Sequence, residues 1–287
     1  MELGRLGIWS GTLRYGDRGA ARDATAELEE LGYGTAWLPG GAGGDIFDAV
    51  EALLGASTRI VVATGIVNLW MHEPAETATR HAGITGRHPG RFMLGLGVSH
   101  RPLVDANDPG RYRRPLAAMQ RYLDGLDVAS PPVPIPERVL AALGPRMLQL
   151  ARDRSRGAHP YFVTPEHTHE ARTLLGPTPL LAPEQAVVFS ADPTTAREIA
   201  RAHMEIYLGL PNYVNNLRRL GFDNDDFRDG GSDRLADGIV AWGDEAAIVR
   251  RLQEHWDAGA DHVCVQVLTA EPATLPRTEW KRLAAAV

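Results

Sequence analysis

The residues best suited to chemistry in this sequence sit at the ends of short apolar runs, and His100 is the first of them. It closes the segment Gly95-Leu96-Gly97-Val98-Ser99-His100. An imidazole titrates near neutral pH, so His100 is a candidate proton donor, set against the plainer reading of a solvated loop histidine. The segment does not complete a dinucleotide-binding loop: His100 stands where the third glycine of G-x-G-x-x-G belongs, and Arg101-Pro102 follows rather than a helix. A nucleophile elbow, G-x-S-x-G, also fails, because Arg101 takes the last place after Gly97-Val98-Ser99-His100. Gly95 and Gly97 read instead as strand positions where a flat ring can approach the backbone.

A second site follows Leu143. Pro145 at the first turn of a helix leaves free N–H groups pointing outward, and Gly144 and Arg146 flank it. A helix N-terminus beside an arginine is an anion site, and an ordinary strand-to-helix connection is the bland alternative. Gly40-Gly41-Ala42-Gly43-Gly44 makes an accommodating loop with no acid–base group. Arg111-Tyr112-Arg113-Arg114 is a basic cluster, read as a solvated face or as a contact to an acidic tail. His167-Thr168-His169 lacks a third ligand nearby, and neither H-E-x-x-H nor a P-loop occurs, so no metal site is predicted. The one cysteine, Cys264, lies in the apolar run 262–267 and reads as a buried, inert thiol.

These positions need a scaffold, and the pattern around them alternates strand and helix. Strands are predicted at 6–10, 35–38, 59–66, 92–96, 139–143, 158–163, 186–190 and 262–268, with helices between them. Eight such units in 287 residues favour a closed α/β (β/α)8 TIM barrel over a doubly wound sheet. The chain is read as a single domain over residues 1–287, with a loop or lid insertion at 223–237, where Asp and Gly accumulate. Barrel chemistry sits at the C-terminal ends of the strands, which is where His100 and Gly144 fall.

Composition narrows the class further. A net charge of −6 argues against a broad nucleic-acid footprint. A single cysteine suits a reducing compartment, no apolar segment approaches membrane length, and the N-terminus does not begin a signal peptide. A cytoplasmic location is the expectation.

Several segments together resemble the luciferase-like monooxygenase superfamily, and within it the actinobacterial oxidoreductases that use the deazaflavin coenzyme F-420. They are Gly32-Tyr33-Gly34-Thr35-Ala36-Trp37, Ala63-Thr64-Gly65-Ile66-Val67, Gly90 to Gly97, Ala141-Ala142-Leu143-Gly144-Pro145, and Gly259-Ala260-Asp261-His262-Val263. Each is short; their order and spacing are more specific, and the resemblance runs from Leu6 to about Leu268. It implies a barrel of the bacterial-luciferase type and a non-proline cis peptide at Gly65-Ile66 that backs the ring. Asn68 is implied at the ring's polar edge, with a turn residue as the alternative. Gly144, Pro145 and Arg146 are implied at the cofactor's phosphate-bearing side chain, and His159 and Tyr161 as further cofactor contacts. The resemblance sets His100 where sugar-phosphate dehydrogenases of the superfamily carry an acidic proton donor. Those relatives have an Asp-His pair where this chain has Gly40 and Gly41, which argues against sugar-phosphate oxidation.

The implied activity is hydride transfer between coenzyme F-420 and a small organic molecule. An FMN-dependent monooxygenase is the alternative; a non-enzymatic flavin or deazaflavin carrier and a barrel hydrolase stand further off. The resemblance also implies a homodimer, and no nucleic-acid or membrane partner is expected.

Overall fold

The computed structural model describes residues 1–41 and 43–287. Ala42, in the glycine loop singled out above, lies outside the described residues. The elements run β1 (Leu6–Trp9), α1 (Thr12–Tyr15), α2 (Arg18–Glu30), β2 (Thr35–Pro39), α3 (Ile46–Leu54), β3 (Val61–Gly65), β4 (Val67–Asn68) and α4 (Pro74–Arg87). Next come β5 (Phe92–Gly97), α5 (Arg101–Asp105), α6 (Pro115–Val128), β6 (Arg138–Leu140), α7 (Pro145–Arg154), β7 (Gly157–Ala158), α8 (Pro165–Leu175), β8 (Leu180–Leu181) and β9 (Glu184–Val188). The chain ends with α9 (Pro193–Leu208), α10 (Pro211–Arg219), α11 (Asp233–Ile239), β10 (Val240–Trp242), α12 (Glu245–Asp257), β11 (Val263–Val267) and α13 (Arg277–Ala286).

Local chemistry explains the boundaries. Asp17 caps α2 by accepting from the Ala20 N–H, and Asp45 caps α3 by accepting from Phe47 and Asp48. Gly32, at φ +89°, turns the chain out of α2 at little steric cost.

Every strand pairing is parallel, and the ladder β11-β1-β2-β3-β5-β6-β7 follows the predicted order, continued by β8, which together with β10 was not among the predicted strands. The ring closes because β8 and β9 act as one stave. Its Ala182 and Glu184 N–H groups donate to Ala158 and Pro160 on the β7 side. On its other edge, the Cys264 N–H donates to the Pro183 carbonyl and β9 pairs β11. β10 adds to the edge of β9 opposite β11.

Alternation along the staves separates two cores. Trp37, Val61, Ala63, Met93, Val139, Ala182 and Cys264 fill the barrel interior. Ile8, Ala36, Leu38, Val62 and Leu94 point outward beneath the helices. Burial pushes the Cys264 thiol pKa well up, as an inert thiol requires.

The sequence pattern and the coordinates differ in detail. The strand predicted over 158–163 shortens to β7, and Phe162, beyond it, adopts a left-handed φ of 60°. A short helix, α5, does follow His100, so the sequence reading of Arg101-Pro102 as non-helical is corrected: Pro102 fits the first turn. The segment expected to loop over 223–237 turns through residues 223–232 and then forms α11, capped by Ser232. Among the described residues, no helix is long and apolar enough to cross a membrane.

Candidate functional site

The C-terminal end of the barrel brings the sequence-selected residues together in three groups. The first is a glycine-lined floor at the ends of β3 and β5. The Gly65–Ile66 peptide is cis, where the resemblance put it. A Cβ on Gly65 would lie 2.8 Å from Trp9 Nε1 and 3.0 Å from His159 Nε2. A Cβ on Gly97 would lie 2.6 Å from the Ile66 side chain, and one on Gly95 would overlap the Thr64 carbonyl oxygen at 1.8 Å. Glycine is required here because neighbouring staves already occupy the space. Asn68 pairs with Gly97 in the ladder, and its Oδ1 accepts from the Trp70 N–H at 3.1 Å. Its side-chain oxygen therefore serves a local turn.

The second group is the strand-to-helix connection before α7. Gly144 is the N-cap without a side-chain cap, and Pro145 opens the helix. The nearby Leu143 carbonyl accepts from His167 Nε2 at 2.9 Å and from Arg219 Nη2 at 3.0 Å. This brings α10 against the turn, and an Arg219 nitrogen stands 3.9 Å from where a Gly144 Cβ would be. Exposed Arg146 and Arg219 thus flank one helix N-terminus. Arg219 gave no sequence signal, since only the packing of α10 carries it there. Arg111 pairs with Asp108 at 3.0 Å on the exposed face, as a solvated cluster does.

The third group surrounds His100. Its ring lies 4.8 Å from that of Tyr213, and its Nδ1 is 3.4 Å from Asn212 Nδ2. Burial lowers its pKa to about 4, so at pH 7 the ring is neutral. His100 is half-buried beside α10, with exposed Asn212 at its edge, so it is neither sealed nor freely solvated.

His159 and Tyr161 stand inside the barrel. His159 is 1% exposed, stacks on Trp37 at 4.2 Å and donates from Nδ1 to the Ala182 carbonyl at 2.8 Å. That bond leaves Nε2 as a bare acceptor, and burial holds the pKa at about 4. Tyr161 packs on Trp9, donates to Gln266 Oε1 at 2.8 Å and accepts from the Tyr207 hydroxyl at 2.8 Å. Glu184, 2% exposed, lies nearby; one oxygen accepts from the Phe162 N–H at 3.2 Å. Burial raises its pKa to about 8, so it carries a proton at neutral pH. Trp9 and Gln266 end the first and last staves, and the rule of C-terminal strand ends points to both. Glu184, Tyr207 and Tyr213 gave no comparable signal.

The comparisons with known proteins agree with this architecture. The luciferase-like monooxygenase family matches residues 5–262, and the chain belongs to that family. A Mycobacterium tuberculosis protein named as a coenzyme F-420-dependent oxidoreductase is 28% identical over 203 residues, 58% of this chain and 56% of the relative. The chain therefore spans a little over half of that relative's length. The coenzyme F-420-dependent tetrahydromethanopterin reductase of Methanopyrus kandleri superposes with a TM-score of 0.77 at 17% identity, covering 100% of this chain and 99% of the other. The oxygenating constituent of 3,6-diketocamphane monooxygenase from Pseudomonas putida, solved with FMN, gives 0.71 at 13% identity, covering 99% and 96%. Likeness at these identities speaks for the bacterial-luciferase type of barrel.

Proposed function

We propose that this chain is an oxidoreductase that transfers a hydride between coenzyme F-420 and a small organic molecule. The observation that carries this reading is the pairing of a backbone-lined floor with a cationic helix N-terminus. Gly65, Ile66 and Gly97 form the floor, and Arg146 and Arg219 flank the uncapped start of α7. Such a pair fits a planar ring with an anionic tail. The name of the Mycobacterium tuberculosis relative supports the choice of deazaflavin.

When bound, the deazaflavin supplies two-electron hydride chemistry. The protein's own residues bind, orient and manage protons. The N–H groups at the start of α7, with Gly144 and Pro145 fixing the turn, hold the tail, and Arg146 and Arg219 add charge. The Gly65-Ile66 backbone backs the ring, and Asn68 turns its free amide N–H toward the ring edge. His159 and Tyr161 support this floor from inside the barrel, His159 directly beneath Gly65. His100, half-buried beside Asn212 and Tyr213, is the proton donor of this reading, acting from the small protonated fraction that its low pKa leaves. The 223–237 segment is a lid in this scheme, and the active unit is a cytoplasmic homodimer.

An FMN-dependent monooxygenase is the second reading, favoured by the Pseudomonas putida neighbour, and the same floor and cationic turn suit FMN. Titration of the apo-protein with F-420 and with FMN, followed by ligand fluorescence, separates the two. Micromolar binding of F-420 with weak FMN binding supports the first reading. The reverse preference moves the function to FMN, and binding of neither overturns both.

A further inference from the structure

An open-mouthed cavity of about 680 Å3 lies across the barrel mouth from the glycine floor, over the ends of β1 and β11 and against α9. That volume takes a molecule of several fused or bridged rings. None of the residues assigned above to ring, tail or proton lines it, and Trp9 joins its wall to the floor beside Gly65.

Much of the wall is apolar: Trp9, Ile199, Val267, Leu268, Pro276 and Trp280 contribute to it. The charged group in the lining is Glu198, on the exposed side of α9. The hydroxyl groups of the wall are already engaged within the protein. Ser10 Oγ accepts from the Leu13 N–H, Thr12 donates to the Pro272 carbonyl and Tyr15 to the Gly40 carbonyl. Thr269 accepts from the Glu271 N–H, and Thr274 donates to the Glu271 carboxylate.

Gln266 is different. Its Oε1 is taken by the Tyr161 hydroxyl, which is itself fixed by Tyr207. The amide is thereby oriented, and among the described residues its Nε2 has no partner. The indole nitrogens of Trp9 and Trp280 are sealed behind the wall, Trp9 Nε1 toward Gly65, and do not reach the cavity. The amide nitrogen of Gln266 can only donate, and it stands in a largely apolar wall whose hydroxyls are engaged and whose charged group is the carboxylate of Glu198. One oriented amide donor in an apolar wall suits an oxygen that accepts, and the Glu198 carboxylate disfavours an anion.

We propose that this cavity binds a bulky, uncharged, mostly apolar carbonyl compound, with the Gln266 amide N–H donating to the carbonyl oxygen and Gln266 setting specificity. As the substrate cavity of the enzyme it rests on the oxidoreductase reading; as a binding site it does not.

The test is calorimetric titration of the apo-protein with cyclooctanone, the hydrocarbon cyclooctane and cyclooctanecarboxylate, with F-420 titrated separately. Ketone is expected to bind at least tenfold tighter than hydrocarbon, and carboxylate not to compete. Gln266→Leu is expected to weaken ketone about tenfold, the value of one neutral hydrogen bond, and to leave hydrocarbon unchanged. Ala202→Phe, on the exposed side of the cavity, should weaken both. Equal affinity for ketone and hydrocarbon, a preference for carboxylate, or insensitivity to both substitutions overturns the proposal. Loss of F-420 binding with ketone binding intact overturns only the cofactor reading, and the reverse result overturns only the cavity.

Discussion

At the N-terminal end of the barrel, polar groups close on one another. Glu29 accepts from the N–H groups of Thr58 and Ile60 at 2.9 and 2.8 Å and from the Thr58 hydroxyl at 2.7 Å, tying α2 to the approach of β3. Arg91 donates to the Ile60 and Ser57 carbonyls at 3.1 and 3.0 Å, and buried Arg138 meets Asp127 at 2.7 Å. At the C-terminal end, Trp9 Nε1, His159 Nε2, Glu184 Oε1 and His203 Nε2 are buried without partners. Unpaired buried polar atoms cost stability, so they persist where another demand holds them. The groups named at the first end are paired, whereas these four are sealed without partners toward the end where barrel chemistry sits.

Acid should break this contrast most strongly. Burial holds His81, His100, His159, His167, His203 and His262 at a pKa of about 4, and His255 at about 3. These groups stay neutral in the fold while the unfolded chain protonates near pH 6.5, so below 6.5 the unfolded state binds more protons. Stability is expected to fall by several kcal/mol between pH 6.5 and 4, measured by urea unfolding at stepped pH. Glu184 works the other way, losing stability as pH rises from about 4.5 to 8, but it is one group against seven. A flat profile would mean that these rings hydrate in the native state.

Glu29→Ala probes the closed end. Burial raises this carboxylate's pKa, yet the N–H groups of Arg59 and Ile60 and the contacts from Thr58 outweigh it and bring it to about 2. Removal leaves those N–H groups unpaired, and a loss of about 3 kcal/mol is expected, with F-420 affinity of the folded protein unchanged. A loss of affinity without a loss of stability would erase the division between the ends.

Arg219→Ala sharpens the open end: F-420 affinity should fall about tenfold, with unchanged stability and a weaker salt dependence. His100→Ala should slow turnover several-fold while leaving cofactor affinity nearly intact; equal losses in both would remove it as proton donor. If His100 is the acid, the rate declines as pH rises through about 4. A decline centred near pH 8 would transfer the role to Glu184.

The sequence alone determined what depends on local pattern. Alternating strands and helices, with glycine stops and Pro145 at a helix start, made the eight-stave order legible, because those signals act within a few residues. Gly95 and Gly97 were read from the sequence as leaving room for a flat ring, whereas in the fold the space beside them is taken by Thr64 and Ile66. The tertiary structure decided what depends on distant segments. It half-buried His100 against α10, brought Arg219 to Gly144 and sealed Glu184 within the barrel. It also set Gln266 by way of Tyr161 and Tyr207, side chains 105 and 46 positions apart in their pairings. Burial and long-range hydrogen bonds fix charge state and donor direction, and neither is encoded in the spacing of neighbouring residues.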